Sequence, residues 1–298
     1  MQLILSRDRF KRCITPWLFL ILPLSFYLLI LAYPLLGSIV LSFTEWSGMG
    51  SPPTFVGIDN YSYLISVGSI ALAIKNNLLW LVLFVPIPTA IGFILAYFLS
   101  ANTKINVILR GMFYIPMIIS NAVMAIMWLH VYAPQHGLIA EALKVMHLPP
   151  LSRSLLTRPD FAIIAVSFVG IWHWIGFPLV IYLAAIQDIP QDLLEAADLD
   201  GASAFYKVLH IVIPFVRHAT TVVIALGTIL SMKVFDLVYI MTGGYYKNDV
   251  LGTYIWRLAF DQYQLGRASA VAVIEFLVIT AVVIPYISWQ LRTGEIEI

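Results

Sequence analysis

Glu195–Pro214, EAADLDGASAFYKVLHIVIP, is a polar, acid-rich stretch set between two long apolar runs. A charged side chain at the centre of a bilayer costs roughly 2.5–3.5 kcal/mol on insertion scales, so a segment carrying Glu195, Asp198, Asp200 and Lys207 belongs outside the hydrocarbon. Just upstream, Ile189–Asp192 (IPQD) reads as a helix start, with Pro190 at an early position and Asp192 and Glu195 in the first turn, where acids suit the helix dipole. Asp198 follows Glu195 by three residues and projects from nearly the same face. Gly201 permits a sharp break before a second helix that runs to Pro214.

The surrounding composition is that of a membrane protein. Hydrophobic residues make up 61% of the chain and charged residues only 11%, with a mean hydropathy of +0.91; soluble domains carry about 25% charged residues. A hydrocarbon core needs roughly 20 apolar residues per helix. Six runs qualify: Pro16–Phe43, Asn77–Ser100, Gly111–Tyr132, Phe161–Leu183, Ile211–Val234 and Ala268–Leu291. They are too long for barrel strands, and backbone groups in lipid must pair within the segment, so an all-α bundle of six transmembrane helices follows.

Arg7, Arg9, Lys11 and Arg12 outweigh Asp8 before the first run and place the N-terminus in the cytoplasm. Six spans then return the C-terminus to the same side, and Lys104, Arg110 and the acid-rich loop also fall inside. The first run is about twice the length of a signal-peptide core and reads as an uncleaved helix. The resulting organisation is a cytosolic N-terminus at 1–15, one transmembrane domain at 16–292 containing a cytosolic loop at 189–214, and a cytosolic tail at 293–298. Two external loops carry structure: Thr44–Lys75, turn-rich and then amphipathic, and Ala133–Asp160, where Leu138, Ile139, Ala142, Leu143 and Met146 recur at helical spacing ahead of Pro149 and Pro150.

Several chemistries are excluded or unsupported. The single Cys13 rules out an internal disulfide or cysteine metal site, a net charge of +1 gives no sign of nucleic-acid binding, and the six histidines form no ligand pattern. No cofactor motif is present. No Gly-x4-Gly-Lys-Ser/Thr occurs, so the chain does not hold ATP through a P-loop and is not expected to be an ATPase. Asn60-Tyr61-Ser62 forms a sequon by chance.

Glu195, Ala196 and Ala197, followed by Gly201, Ile211 and Pro214, resemble the EAA loop (EAA-x3-G-x9-I-x-LP) of permease subunits in binding-protein-dependent ABC importers, with Ile213 in place of Leu. LSFTEW (Leu41–Trp46), FVGIDNY (Phe55–Tyr61), FYIPMIIS (Phe113–Ser120), WHWIGFP (Trp172–Pro178) and MTGG (Met241–Gly244) resemble, in order, landmarks of the carbohydrate importers, and the TGG turn resembles the MalF-like and UgpA-like branch. Tyr245 and Tyr246 stand where Gly-Pro is common. The resemblance implies an ATPase-coupling loop at Asp192, Glu195, Ala196, Ala197, Asp198, Gly201 and Pro214. It further implies a second, non-identical permease, two cytosolic ATPase subunits and an external solute-binding protein, all at a lipid bilayer and serving a sugar-class substrate.

The same resemblance carries maltose-type contacts onto Trp172, Ile175, Gly176 and Leu179, and onto Gly227, Leu230, Ser231 and Val234. Several amide-bearing positions of that site are apolar here. Trp172 and Trp174 suit sugar platforms, and equally suit core packing. Ionisable residues in spans default to function or a wet cavity, which singles out Glu275 in the sixth run, about one and a half turns in, and Lys233 and Asp236 near the outer end of the fifth. On the sixth helix Ala268, Val271, Ala272, Ile279 and Val282 share a face with Glu275, and that face is expected to turn inward. Lys233 and Asp236 either line the path or form an outward-snorkelling pair. The alternative is an ion-coupled secondary transporter or channel using Glu275, Lys233 and Asp236, which predicts paired broken helices in inverted repeats that the sequence does not show.

Overall fold

The structure is a computed structural model that describes residues 17, 19–147, 155–159, 161–244 and 247–292. The basic cluster Arg7–Arg12, Pro149, Pro150, Tyr245, Tyr246 and the tail 293–298 lie outside the described residues.

The chain is helical almost throughout. Helix α1 (Phe19–Leu41) leads to a short antiparallel ribbon of β1 (Thr44–Glu45) and β2 (Thr54–Phe55), then α2 (Asp59–Val67) and α3 (Ser69–Phe98). After these come α4 (Lys104–Ile118), α5 (Asn121–Val131), the outlying α6 (Leu138–Val145) and α7 (Ala162–Gln187). The acid-rich loop contributes α8 (Gln191–Leu199) and α9 (Ala204–Phe215), which hands over to α10 (Arg217–Met232). An excursion of two short helices, α11 (Asp236–Thr242) and α12 (Leu251–Trp256), precedes α13 (Leu265–Arg292). Among the described residues four helices are long and apolar enough to cross a membrane, and counting each of two bent pairs, α4 with α5 and α9 with α10, as one span gives six.

The predicted spans are recovered with three departures. The second begins at Ser69, eight residues before Asn77, because Asn76 and Asn77 are interior staples whose amides find carbonyl partners across the bundle. The third, read as one run from Gly111 to Tyr132, is two helices bent by 100°. Pro116 lies in the last turn of α4, Ile119 is extended (ψ 135°), and Ser120 opens α5 by accepting the Val123 N–H at 3.4 Å. The fifth starts inside the acid-rich loop and bends by 65° at Val216.

Two prolines are accommodated by the same device. Pro34 and Pro214 each follow a single π-helical turn, Leu28–Ala32 and Val208–Val212, in which the hydrogen-bond ladder is already shifted where proline supplies no N–H. Packing is divided among three apolar clusters. One, around Trp80, Met124, Val166 and Val238, fills the end remote from the acid-rich loop; a second joins α2, α12 and α13; the third, with Ala96, Leu179, Tyr182, Ile189, Val212 and Val216, lies beside the loop. Helix α1 has no buried residue in its apolar window.

Candidate functional site

The acid-rich loop has the geometry its sequence requires. Helix α8 ends in a Schellman motif: the Ala202 N–H reaches the Ala197 carbonyl at 2.9 Å and the Gly201 N–H reaches Asp198 at 3.1 Å, with Gly201 at φ +74°. Ser203 then caps α9 by accepting the Tyr206 N–H at 3.2 Å. Pro190 is the N-cap rather than the first helical residue, so Asp192 alone stands in the first turn and Glu195 one turn deeper. Asp198 and Glu195 play different parts. The Asp198 carboxylate pairs with Lys207 at 2.6 Å and braces α8 to α9, whereas Asp192 and Glu195 are exposed and pair with no side chain among the described residues. Ala196 is exposed and Ala197 half-buried. Around them Leu199 is 89% exposed and Phe205 73%, an apolar surface on a cytosol-type loop. Pro214 sits at the start of the last short turn before the bend.

Inward from the loop, Leu194 and Ile211 pack on the cluster holding Ile189, Val212, Leu179 and Tyr182, and Leu179 and Tyr182 belong to α7. Helix α7 reaches back to Trp174, thirteen residues from Gln187 or about 20 Å, passing one turn residue, Ile175, that keeps right-handed helical angles. The acid-rich loop and the apolar interior are therefore joined by one helical span.

At that far end lies a cavity of 350 Å³. Its aromatic floor is Trp80, Phe84 and Trp174, with Phe84 stacked between the two tryptophans at ring separations of 5.8 and 5.9 Å. Its polar rim is Asn121, His173, Lys233 and Asp236. Asn121 donates to Asp236 Oδ2 at 3.3 Å, linking α5 to α11. The His173 Nε2 lies 3.0 Å from the Ile119 carbonyl, which the break between α4 and α5 leaves without a helical partner; a carbonyl only accepts, so that nitrogen carries the proton. Lys233 and Asp236 do not form an ion pair with each other, and the excursion beginning at Lys233 turns both toward the cavity.

The sequence-derived contacts divide. Leu230 and Val234 line the cavity. Gly227 faces its floor, with Val85 and the Trp174 Nε1 as nearest atoms to a Cβ built on it. Trp172 instead packs edge-on against Trp128 at 5.6 Å, and Ile175 fills the neighbouring core. Gly176 is pressed against the Phe113 carbonyl, Leu179 is fully buried beside the loop, and Ser231 is buried with its hydroxyl on the Thr228 carbonyl at 2.8 Å. Glu275 is half-buried on α13, well over two turns in because that helix starts at Leu265, and lies within electrostatic reach of Lys233. Of its expected face, Ala268 and Val271 are buried and Ala272, Ile279 and Val282 half-buried. Asn121 and His173 were not singled out by the sequence, although each is a polar side chain inside or beside an apolar run.

The excursion after α10 is tied down by polar side chains. Asp249 is buried, pairs with Arg257 and accepts from Thr253; burial pushes its carboxyl up, against the opposing pull of Arg257. Asn248 is fully buried, and neither its amide nitrogen nor its oxygen has a partner among the described residues. Among the described residues no group of three or more His, Cys, Asp or Glu is placed to hold a metal.

Residues 89–290 match the family described as binding-protein-dependent transport system inner membrane component. The chain is 35% identical over 269 residues to the osmoprotective compounds uptake permease protein GgtC of Synechocystis sp., covering 88% of this chain and 92% of that protein. It is 32% identical over 296 residues to the alpha-glucoside transport system permease protein AglF of Rhizobium meliloti, covering 97% and 85%. Its fold matches a chain from the crystal structure of a bacterial alginate ABC transporter in complex with alginate pentasaccharide-bound periplasmic protein, with a TM-score of 0.86, 22% identity, and coverage of 98% and 99%.

Proposed function

The chain belongs to the binding-protein-dependent transport system inner membrane component family, and we propose that its 350 Å³ cavity passes a sugar or related polar solute across the cytoplasmic membrane while the 189–214 loop takes up the stroke of a cytosolic ATPase. As an inner-membrane permease of an ABC importer the chain is not an enzyme, and ATP hydrolysis resides on a separate subunit.

One observation carries the reading: α7 spans from the cluster under the 189–214 loop to Trp174 in the cavity floor, its two halves joined through Ile175 in helical conformation. A push on α8 reaches Leu179 and Tyr182 through Leu194, and α7 transmits it as a rigid body. The ATPases act by favouring one arrangement over the other, since a partner that binds both equally shifts nothing. The cavity suits a sugar: aromatic faces receive its C–H surfaces, while Asn121, Lys233 and Asp236 offer donors and acceptors to hydroxyls. The alpha-glucoside relative supports the same class.

The working unit in this reading is a heterodimer with a second, non-identical permease, two ATPase subunits on the Glu195 side and an external solute-binding protein opposite. The unburied α1 offers its flank to lipid and to the second permease. Both termini face the cytosol, consistent with the basic residues before α1.

Trp174→Ala removes the stacking surface shared with Phe84 and Phe177. Losing one aromatic platform of about 1–1.5 kcal/mol beyond its area lowers uptake roughly tenfold. Uptake is measured in vesicles of the assembled transporter, with labelled sugars chosen by ligand screening of its binding protein, and co-purification of the ATPase reports assembly. Wild-type uptake by an assembled Trp174→Ala complex would place the path elsewhere.

A further inference from the structure

Helix α3 crosses behind the cavity and presents Asn77, 1% exposed, between two segments far apart in the chain. Its Nδ2 donates to the Met232 carbonyl at 3.1 Å, and its Oδ1 accepts the Leu251 N–H at 2.7 Å. Met232 is the last residue of α10 and Leu251 the first of α12. A single side-chain amide thus joins the point where the chain leaves the bundle to the point where it returns, and Lys233 and Asp236 stand in the stretch between.

Among the described residues no other hydrogen bond duplicates this tie, although the two limbs also touch through the Phe235 and Trp256 rings at 5.6 Å and through Gly252, which abuts the Val234 carbonyl. Asn76 donates to the carbonyls of Lys247 (2.9 Å) and Asp249 (2.7 Å), which fixes only the returning limb. The Asp249 pair with Arg257 closes the turn on itself. The Asn248 side chain, buried within the same limb, has no hydrogen-bond partner among the described residues. The Met232 carbonyl matters because it lies at a helix C-terminus, where the last carbonyls have no intrahelical N–H, and in an apolar interior an unmet carbonyl is costly.

We propose that Asn77 is a positioning residue for the solute cavity: by bridging Met232 and Leu251 it fixes the wall that presents Lys233 and Asp236. Asn77 does not line the cavity and acts only through that backbone. The proposal rests on the cavity being the solute site, but the displacement it predicts is read without any solute.

The test uses the assembled transporter in membranes, with Cys13→Ser to remove the single native thiol and Lys233→Cys as reporter. The rate of labelling by a water-soluble methanethiosulfonate is compared in this background with and without changes at Asn77. Asn77→Leu removes both bonds. Asn77→Asp keeps the acceptor for Leu251 but sets a carboxylate oxygen against the Met232 carbonyl. Loss of one buried hydrogen bond shifts a local opening by about five- to thirtyfold, so both variants change the labelling rate at position 233 by that factor. Asn76→Leu, which frees only the returning limb, leaves the rate at its parental value. Equal rates in all assembled variants overturn the proposal, as does an Asn76→Leu effect as large as that of Asn77→Leu, which would mean general loosening. If Asn77→Leu does not assemble, Asn77→Asp decides alone. Failure of the cavity reading shows up separately, as normal uptake by Trp174→Ala.

Discussion

Glu195→Ala is expected to abolish ATP-driven uptake in a protein that still inserts in the membrane. The Glu195 carboxylate is exposed and pairs with no side chain among the described residues, so its removal leaves the fold untouched. Asp198, only three residues on, is already engaged by Lys207. The unengaged charge is the one available to a basic group on the ATPase, and the exposed Leu199 and Phe205 supply an apolar surround that would desolvate it. Truncating one partner of a buried interfacial charge pair costs about 2–5 kcal/mol, at least thirtyfold in affinity. Gly201→Val reaches the same end by another route. A Cβ at Gly201 meets no atom within 4 Å, so the obstacle is the φ of +74°, which a β-branched residue resists. The two Schellman hydrogen bonds that set the angle between α8 and α9 are then lost together. Uptake and ATP hydrolysis are measured separately on each variant. Wild-type transport by both would remove the coupling role from this loop.

The helix-turn-helix of the loop was legible in the sequence because polar residues inside a strongly apolar chain announce themselves, and because a helix, a glycine and a second helix have a local grammar. The cavity was less legible for two physical reasons. Hydropathy averages do not see dihedral angles: the apolar run from Gly111 to Tyr132 continues across Ile119, where the backbone turns by 100°, and that bend is what brings Asn121 to Asp236. The second reason concerns helix faces. Trp172 and Trp174 are two residues apart on a helix, about 200° around the axis, so only one can face the cavity. Sequence alone does not say which, and the partners supplied by α3 and α5 decide for Trp174.

Polarity misled in one further place. The sequence reading starts the second span at Asn77, with Asn76 left outside it, and an amide is poorly tolerated by lipid. In the folded bundle both are buried, Asn76 bonded to carbonyls within the excursion and Asn77 to the Met232 carbonyl that ends α10. An uncharged polar residue in a span therefore marked a contact between segments rather than an end, and the same holds for His173 at the broken end of α4.

The seam between α3 and α7 sets the largest expected effect on stability. Gly92 lies where the two helices approach most closely: a Cβ built on it falls 2.5 Å from Pro178 Cβ and 2.9 Å from the Leu179 backbone nitrogen. Neither neighbour is a flexible side-chain tip, so the helices must move apart to admit even a methyl group. Small residues at helix contacts are the usual means of close approach in membranes, where lipid competes with side chains for apolar surface. Overpacking a close contact costs about 1–3 kcal/mol, and Gly92→Leu, larger than a methyl, belongs at or above the upper end. In the proposed mechanism α7 is the rod between the 189–214 loop and the cavity, so separating it from α3 also loosens Leu179 and Tyr182 from the cluster beside that loop. Gly92→Ala is expected to lower the midpoint of thermal unfolding in detergent, and Gly92→Leu to prevent recovery of a folded, ATPase-associated complex. Gly111, whose added Cβ meets nothing within 4 Å, is the control: Gly111→Ala should assemble normally and leave the midpoint at or slightly above the parental value, since alanine is the better residue in a helix interior. Equal unfolding midpoints for Gly92→Ala and Gly111→Ala would show that the seam yields without cost and that the rod is not held where the structure places it.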